Sequence, residues 1–337
     1  MTREPLVRVR DLRVEFKLAR GVVHAVDGVS FDVEPGEAFG LVGESGSGKT
    51  VTLRALVGLL PRGAKLTGGT IEIDGVDVTA TDEDTQRELR GTTVSMIFQE
   101  PMTALNPVMR VGDQIAEEPL VRLGMSRSAA RARAIELMAL VGIPDPRRRA
   151  QAYPHELSGG LRQRVMIAIA LSGEPKLVLC DEPTTALDVT IQDQILKLLR
   201  KLQHELDVSL VFVSHDLAVI AQTCRRLAVM YAGQVVESGS VEQVFREPRH
   251  PYTLGLLRAV PDFEIVRERL ASIPGSPPDL AAPPAGCRFH PRCRFVQEDC
   301  LASPVELEEL GEGREVRCLH HDQTAADVER EPVVVDA

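Results

Sequence analysis

Apolar residues near the N-terminus alternate with polar ones. Leu6, Val9, Leu12, Val14 and Phe16 are interleaved with charged residues, and Val29, Phe31 and Val33 alternate strictly with polar partners. Both stretches predict strands. After Pro35-Gly36 the continuous run Ala38-Phe39-Gly40-Leu41-Val42 predicts a short buried strand leading straight into a glycine-rich turn. Residues 50–59 then have helical spacing. Strand, glycine loop, helix is the opening of a parallel α/β unit.

The rhythm changes over residues 110–150, where no β-branched run occurs and alanine, arginine, leucine and glutamate dominate from Arg127 to Val141. This stretch predicts a helical insertion. The α/β pattern returns with a buried strand at Leu177-Val178-Leu179-Cys180. A helix follows that carries Ile191, Ile195, Leu198, Leu199, Leu202 and Leu206 on one face, and then a second buried strand over Ser209 to Val213. Seven of the 22 prolines lie between Pro274 and Pro304, which excludes a long helix or a central strand there. The final 80 or so residues therefore read as a small, loop-rich appendage. No solenoid-type repeat is present.

Composition narrows this picture. At 337 residues, 44% hydrophobic and 26% charged, the chain has ordinary globular composition and the length of about two domains. Collagen-like, coiled-coil and wholly disordered readings are excluded. No apolar run approaches the roughly 20 residues of a membrane helix, and the N-terminus has no signal-peptide core, so any membrane role is expected to be peripheral. The net charge of −10 is uneven: from Ala302 onward there are ten acidic and three basic residues. That stretch is expected to be a solvated acidic tail. The remaining body is nearly balanced, which gives no electrostatic case for nucleic acid. Cys180 and Cys224 read as buried small hydrophobes. Cys287, Cys293, Cys300 and Cys318 cluster within 32 residues, and in a reducing compartment such a cluster suggests a metal before disulfides.

Two segments carry candidate chemistry. Gly43, Glu44, Ser45, Gly46, Ser47, Gly48, Lys49 and Thr50 fit the pattern G-x4-G-K-[ST]. The glycines let successive amide hydrogens point at phosphate oxygens, Lys49 supplies a charge for the β- and γ-phosphates, and Thr50 offers a hydroxyl to magnesium. The helix behind the loop presents its positive end to the same anion. In the second segment, the buried strand ending at Cys180 delivers Asp181 and Glu182. Asp181 suits the magnesium shell and Glu182 the activation of an attacking water, although paired carboxylates after a strand are also common surface residues.

Further motifs resemble one family. Leu157-Ser158-Gly159-Gly160, opening a helix that continues through Arg162-Gln163-Arg164-Val165, resembles the signature motif of ABC-type ATPases. Gln99, after the strand-like Val94 to Phe98, matches the Q-loop; Ala186-Leu187-Asp188 matches the D-loop; His215 matches the switch histidine. Phe16 stands where that family stacks an aromatic on adenine. The resemblance implies an α/β P-loop NTPase core with a helical subdomain and two cassettes arranged head to tail. In that arrangement Ser158, Gly159 and Gly160 cap the γ-phosphate held by the partner cassette, and His215 holds γ-phosphate and water in register with Glu182. Gln99 contacts magnesium, alongside Thr50 and Asp181.

Longer segments narrow the resemblance. Phe98 to Pro107, Asp181 to Ile191, His250 to Leu257, Ile273 to Asp279 and Gly286 to Cys293 closely resemble the ATP-binding subunits of bacterial oligopeptide and dipeptide importers, including related nickel importers. The likeness runs from about Leu6 to Cys318. It implies a domain division at about residue 250: residues 1–250 form the nucleotide-binding domain, with a helical subdomain at about 101–172, and residues 251–337 form a C-terminal extension with the four cysteines and the acidic tail. Leu161, Cys180 and Thr50 depart from the commonest residues of that family without removing a catalytic group.

The cysteine spacing, C-x5-C-x6-C-x17-C, lacks the two C-x2-C arms of common zinc sites. Some importer members resemble a four-cysteine 4Fe–4S arrangement, which makes that cluster the first expectation, with zinc as the alternative beside His290, His320 and His321. In either case the role is expected to be structural, because a small appendage without a large core needs a staple. The implied partners are two permease subunits, a second cassette, identical or homologous, and through the complex an extracytoplasmic peptide-binding protein. The implied location is the cytoplasmic face of the membrane. The competing readings are a soluble ABC ATPase acting on DNA or the ribosome and a non-catalytic regulatory cassette. The absence of a second cassette or long coiled coil in this sequence opposes the first, and the presence of Lys49, Glu182 and His215 opposes the second.

Overall fold

The computed structural model describes residues 4–18, 21–185, 187–259 and 272–330. The chain begins with β1 (Val7–Leu18), β2 (Gly21–Val33), β3 (Ala38–Val42), α1 (Lys49–Leu56), β4 (Ala64–Ile73) and β5 (Val76–Asp77). It continues with α2 (Glu83–Thr92), β6 (Val94–Ile97), α3 (Pro101–Ala104), α4 (Val111–Val121), α5 (Arg127–Leu140), α6 (Pro146–Arg149) and α7 (Gly159–Leu171). After these come β7 (Leu177–Asp181), α8 (Val189–Leu206), β8 (Ser209–Ser214), α9 (Leu217–Thr223), β9 (Arg226–Tyr231), β10 (Gln234–Ser240), α10 (Val241–Arg246) and α11 (Pro251–Arg258). The last elements are α12 (Asp299–Ala302), β11 (Glu308–Gly311), β12 (Arg314–Val316) and α13 (His321–Arg330).

Packing divides the chain into two units, one of Met1–Pro5, Val33–Glu37 and Ala80–Phe212, the other of Leu6–Asp32, Ala38–Thr79 and Val213–Ala337. In the first unit β6 and β7 pair in parallel, and every residue of β7 is buried, as a strand covered on both faces requires. The helical insertion expected over 110–150 is present as α4, α5 and α6, with α4 and α5 packed on α7. Helix α8 buries Ile195, Leu198, Leu199 and Leu202, whereas Leu206, at its last position, is exposed.

In the second unit β2, β1, β4 and β5 form a four-stranded sheet. Strand β1 shows why its apolar residues switch from odd to even positions. Val7, Val9, Leu12 and Val14 are all fully buried, and the register against β4 shifts between Arg10 and Arg13. Asp11 sits there at a positive φ of 45°, so the bulge returns the apolar set to the same face. Strand β3 runs parallel to β9; β9 pairs antiparallel with β10, β10 with β12, and β12 with β11.

Two sequence expectations are corrected and one helix is added. The helix expected over 50–59 is α1, which stops at Leu56 because Gly58 turns the chain at φ 64°. Helix α2 had no apolar signal; it buries no residue and is capped by the Asp82 carboxylate, which accepts from the Thr85 N–H. The acidic stretch from Ala302 is folded as far as Arg330 rather than a solvated tail. Its hairpin of β11 and β12 joins β10, Val316 is fully buried, and the nearly buried Arg314 pairs at 2.8 Å with the fully buried Glu237. Glu237 also accepts from the backbone N–H groups of Arg249 and His250, so hairpin and α11 share one anchor. Residues 331–337 of that expected tail, and Ala186, lie outside the described residues. No helix among the described residues is long and apolar enough to cross a membrane.

Candidate functional site

The glycine loop leaves β3 at Gly43, whose φ of 151° and tight surroundings admit no side chain. A Cβ there would lie 2.1 Å from the Met230 carbonyl oxygen. Gly48, at φ 105°, caps α1 with its would-be Cβ 2.5 Å from the Ala25 carbonyl. Both positions thus require glycine, for their positive φ and for the close approach of neighbouring backbone, directly before α1. Lys49 is buried, and its Nζ donates to the carbonyls of Gly43 (2.6 Å) and Glu44 (2.9 Å). Its ammonium is therefore held against the loop itself. Ser45 and Gly46 are exposed at the tip, Ser47 is buried, and Thr50 is half-buried on the first turn. Phe16 is half-buried near the end of β1, opposite Ala64 of β4.

Asp181 ends the buried strand β7 and is itself buried. Glu182 follows at φ 47°, a left-handed conformation that non-glycine residues seldom adopt, which turns its carboxylate out of the strand line. That carboxylate accepts from Gln99 Nε2 at 3.0 Å and from Thr185 Oγ1 at 2.9 Å through the same oxygen. The amide of Gln99, donating with its nitrogen, keeps its carbonyl oxygen as an acceptor. The structure thus brings Gln99 and Glu182 together across 83 residues of sequence and adds Thr185, to which sequence reasoning assigned no part.

Ser158 caps α7, its hydroxyl accepting from the Leu161 N–H at 3.4 Å, and remains exposed. Leu161 enters through its backbone, so the side-chain departure noted in the sequence leaves the cap unchanged. Gly160 is bare because a Cβ would sit 2.8 Å from Ile191 Cγ2. Ile191 in turn gives its N–H to Asp188, the cap of α8, at 3.0 Å. The starts of α7 and α8, each with its own side-chain cap, therefore pack against each other in the first unit. In the second unit His215 is exposed between β8 and α9, just before Asp216, which caps α9.

Cys287, Cys293, Cys300 and Cys318 line one pocket together with His290 and His320. All four are free thiols. Burial pushes Cys287 up, Cys293 to about 11 and Cys318 to about 12, with the neighbouring cysteines adding to the shift. Among the described residues no three cysteine sulfurs lie within 4.8 Å of one another; Cys300 instead groups with Asp299 and His320, whose side chains meet at 2.8 Å. Sequence reasoning gave no role to Arg292 or Tyr252, yet both reach the glycine loop at Glu44. Their distance in sequence, more than 200 residues, hides such a contact.

The family model of the ABC transporter matches residues 26–185, and that of the oligopeptide/dipeptide transporter C-terminal region matches residues 236–300. A protein of Brucella ovis named for peptide import and ATP binding is 49% identical over 338 residues, which cover 97% of this chain and 100% of that protein. A second, from Brucella abortus, is 48% identical over 314 residues, with 93% and 94% covered. Among solved structures, a dimeric ATP-binding cassette in a post-hydrolysis state bound to ADP and Pi is similar at a TM-score of 0.63 and 29% identity. That similarity covers 70% of this chain and 98% of the cassette. A Clostridium perfringens protein that is part of an ABC transporter complex is similar at 0.62 and 26% identity, covering 72% and 91%.

Proposed function

The chain belongs to the ABC transporter family as the ATP-hydrolysing subunit of a peptide importer, and from that premise we propose how its residues divide the work. The amides of residues 43–50 and Lys49 take the ATP phosphates, and Phe16 stacks on the adenine. Thr50, Asp181 and Gln99 hold Mg2+; hydroxyl, carboxylate and amide carbonyl are the hard oxygen donors this ion takes. When bound, the ion neutralises developing phosphate charge. Glu182 activates the attacking water as general base, His215 keeps water and γ-phosphate in register, and Gln99 senses the γ-phosphate. Ser158, Gly159, Gly160 and Asp188 act on the nucleotide held by a second cassette. The Gln99–Glu182–Thr185 contact carries this reading, because it turns a strand-end carboxylate into an oriented acceptor.

The segment after Gln99, through Pro107, docks one of two permease subunits at the cytoplasmic face of the membrane. A peptide-binding protein outside delivers the substrate. Residues 1–250 serve as the nucleotide-binding domain, with about 101–172 as its helical part, and residues 251–337 as the importer-type extension. The four cysteines are assigned a 4Fe–4S cluster, with zinc as the alternative occupant. Four free thiols lining one pocket are the donor set such a cluster takes, and His290 and His320 in the same pocket keep zinc as the alternative. The cluster would tie the extension together.

Glu182→Gln tests the central role. The variant is expected to bind ATP, accumulate as a nucleotide-bound dimer on size exclusion, and lose hydrolysis by at least about 100-fold. Undiminished hydrolysis would refute the assignment.

A further inference from the structure

Glu44 is the first residue after Gly43 in the phosphate loop, and every polar group it owns is committed. Its carboxylate takes a two-pronged bond from Arg292, Nη1 at 2.7 Å and Nη2 at 3.0 Å. Its N–H donates to the Tyr252 hydroxyl at 2.8 Å, and its carbonyl accepts from Lys49. Arg292 is itself fixed. Its side chain is only 4% exposed, Nε donates to the Pro274 carbonyl at 2.8 Å, and its guanidinium lies over the rings of Tyr231 and Phe289. A bidentate arginine so enclosed is a rigid strut rather than a surface ion pair.

The strut has a specific origin. Arg292 ends the short 3-10 turn His290–Arg292, which lies between Cys287 and Cys293. The Cys287 carbonyl accepts from the His290 N–H at 3.0 Å, and the Cys293 N–H donates to the His290 carbonyl at 3.2 Å. Any change in the backbone between these two cysteines therefore moves the arginine that grips the loop. We propose that Arg292 is a positioning residue for the phosphate loop, and that through Glu44 it couples nucleotide binding to the cysteine-bearing turn. This rests on the reading of residues 43–50 as an ATP site. A loop released from the strut spends less time in its binding-competent shape, and apparent affinity falls by that fraction. Coupling is reciprocal, so bound nucleotide must also steady the turn.

The full-length protein tests this with two readouts. Affinity for a fluorescent ATP analogue with Mg2+ is expected to weaken about tenfold in Arg292→Gln and less in Arg292→Lys, which keeps the charge without the fork. The double variant Glu44→Gln/Arg292→Gln is expected to be no weaker than the worse single variant, because the two side chains act as one unit. Hydrogen–deuterium exchange is expected to show a nucleotide that slows exchange in the peptide spanning 286–295 in the wild type, and to lose that effect in the variants. A purely structural arginine would lower stability without removing this nucleotide-dependent protection. Affinity within twofold of wild type, additive losses in the double variant, or protection unchanged in the variants would overturn the coupling. If Arg292→Gln does not fold, Arg292→Lys and Glu44→Gln carry the same comparison. Wild-type protein that binds no nucleotide would instead overturn the ATP-site reading.

Discussion

His250 is completely enclosed, and burial, reinforced by the charge of Arg317, pulls its imidazole down to about 3 from an ordinary 6.5. Its Nδ1 accepts from the Tyr252 N–H at 3.1 Å, so the neutral ring caps α11. The folded protein therefore stays unprotonated where the unfolded chain takes up a proton. Stability conferred by the neutral ring is complete above about pH 6.5 and is lost progressively as pH falls toward 3, by up to about 1.4 kcal/mol per unit. His250→Asn keeps a capping acceptor and removes the titration. Urea unfolding midpoints are expected to fall less steeply between pH 6.5 and 4 in the variant than in the wild type; parallel slopes would contradict this account. At this same scale the candidate site was partly legible. Lys49, Glu182, Gln99 and Ser158 follow from motif and spacing, because each belongs to a short local pattern. Arg292, Tyr252 and Thr185 do not, because their roles arise from contacts that only folding creates.

Among the elements, strands buried on both faces were the most legible, since unbroken apolar runs such as Leu177 to Cys180 have few other places to go. The bulge in β1 could not be placed from periodicity alone, although the shift from Val9 to Leu12 is its trace. The C-terminal hairpin was missed for a different reason. Its sequence is acidic and weakly apolar, and its anchor is the buried pair of Arg314 with Glu237, which charge counting reads as two solvated residues. The cysteine-bearing segment belongs to this scale too. Four free thiols line one pocket there, which is the observation behind the proposed cluster. Anaerobically prepared protein is expected to absorb in the visible iron–sulfur band and to contain iron, and Cys→Ser at positions 287, 293, 300 and 318 to abolish both. Stoichiometric zinc without iron would contradict the cluster.

For the whole molecule, the order of motifs along the chain carried more than any one of them. A glycine loop, a glutamine after a strand, a serine-glycine helix start, a carboxylate pair and a histidine recur in one fixed sequence, and each chemical step of ATP hydrolysis needs a different one. The structure supports that reading within each unit: a curled loop with its lysine held against it in one, an oriented carboxylate and a capped signature helix in the other. Cargo lies beyond both, because the roles proposed for these groups address nucleotide and water. What the chain assembles with is therefore the most direct question. Mass spectrometry of the proteins that copurify with it from gently solubilised native membranes answers it. The account predicts a pair of permease subunits, a second cassette and a solute-binding protein. Ribosomal or DNA-associated proteins with no permease would contradict it.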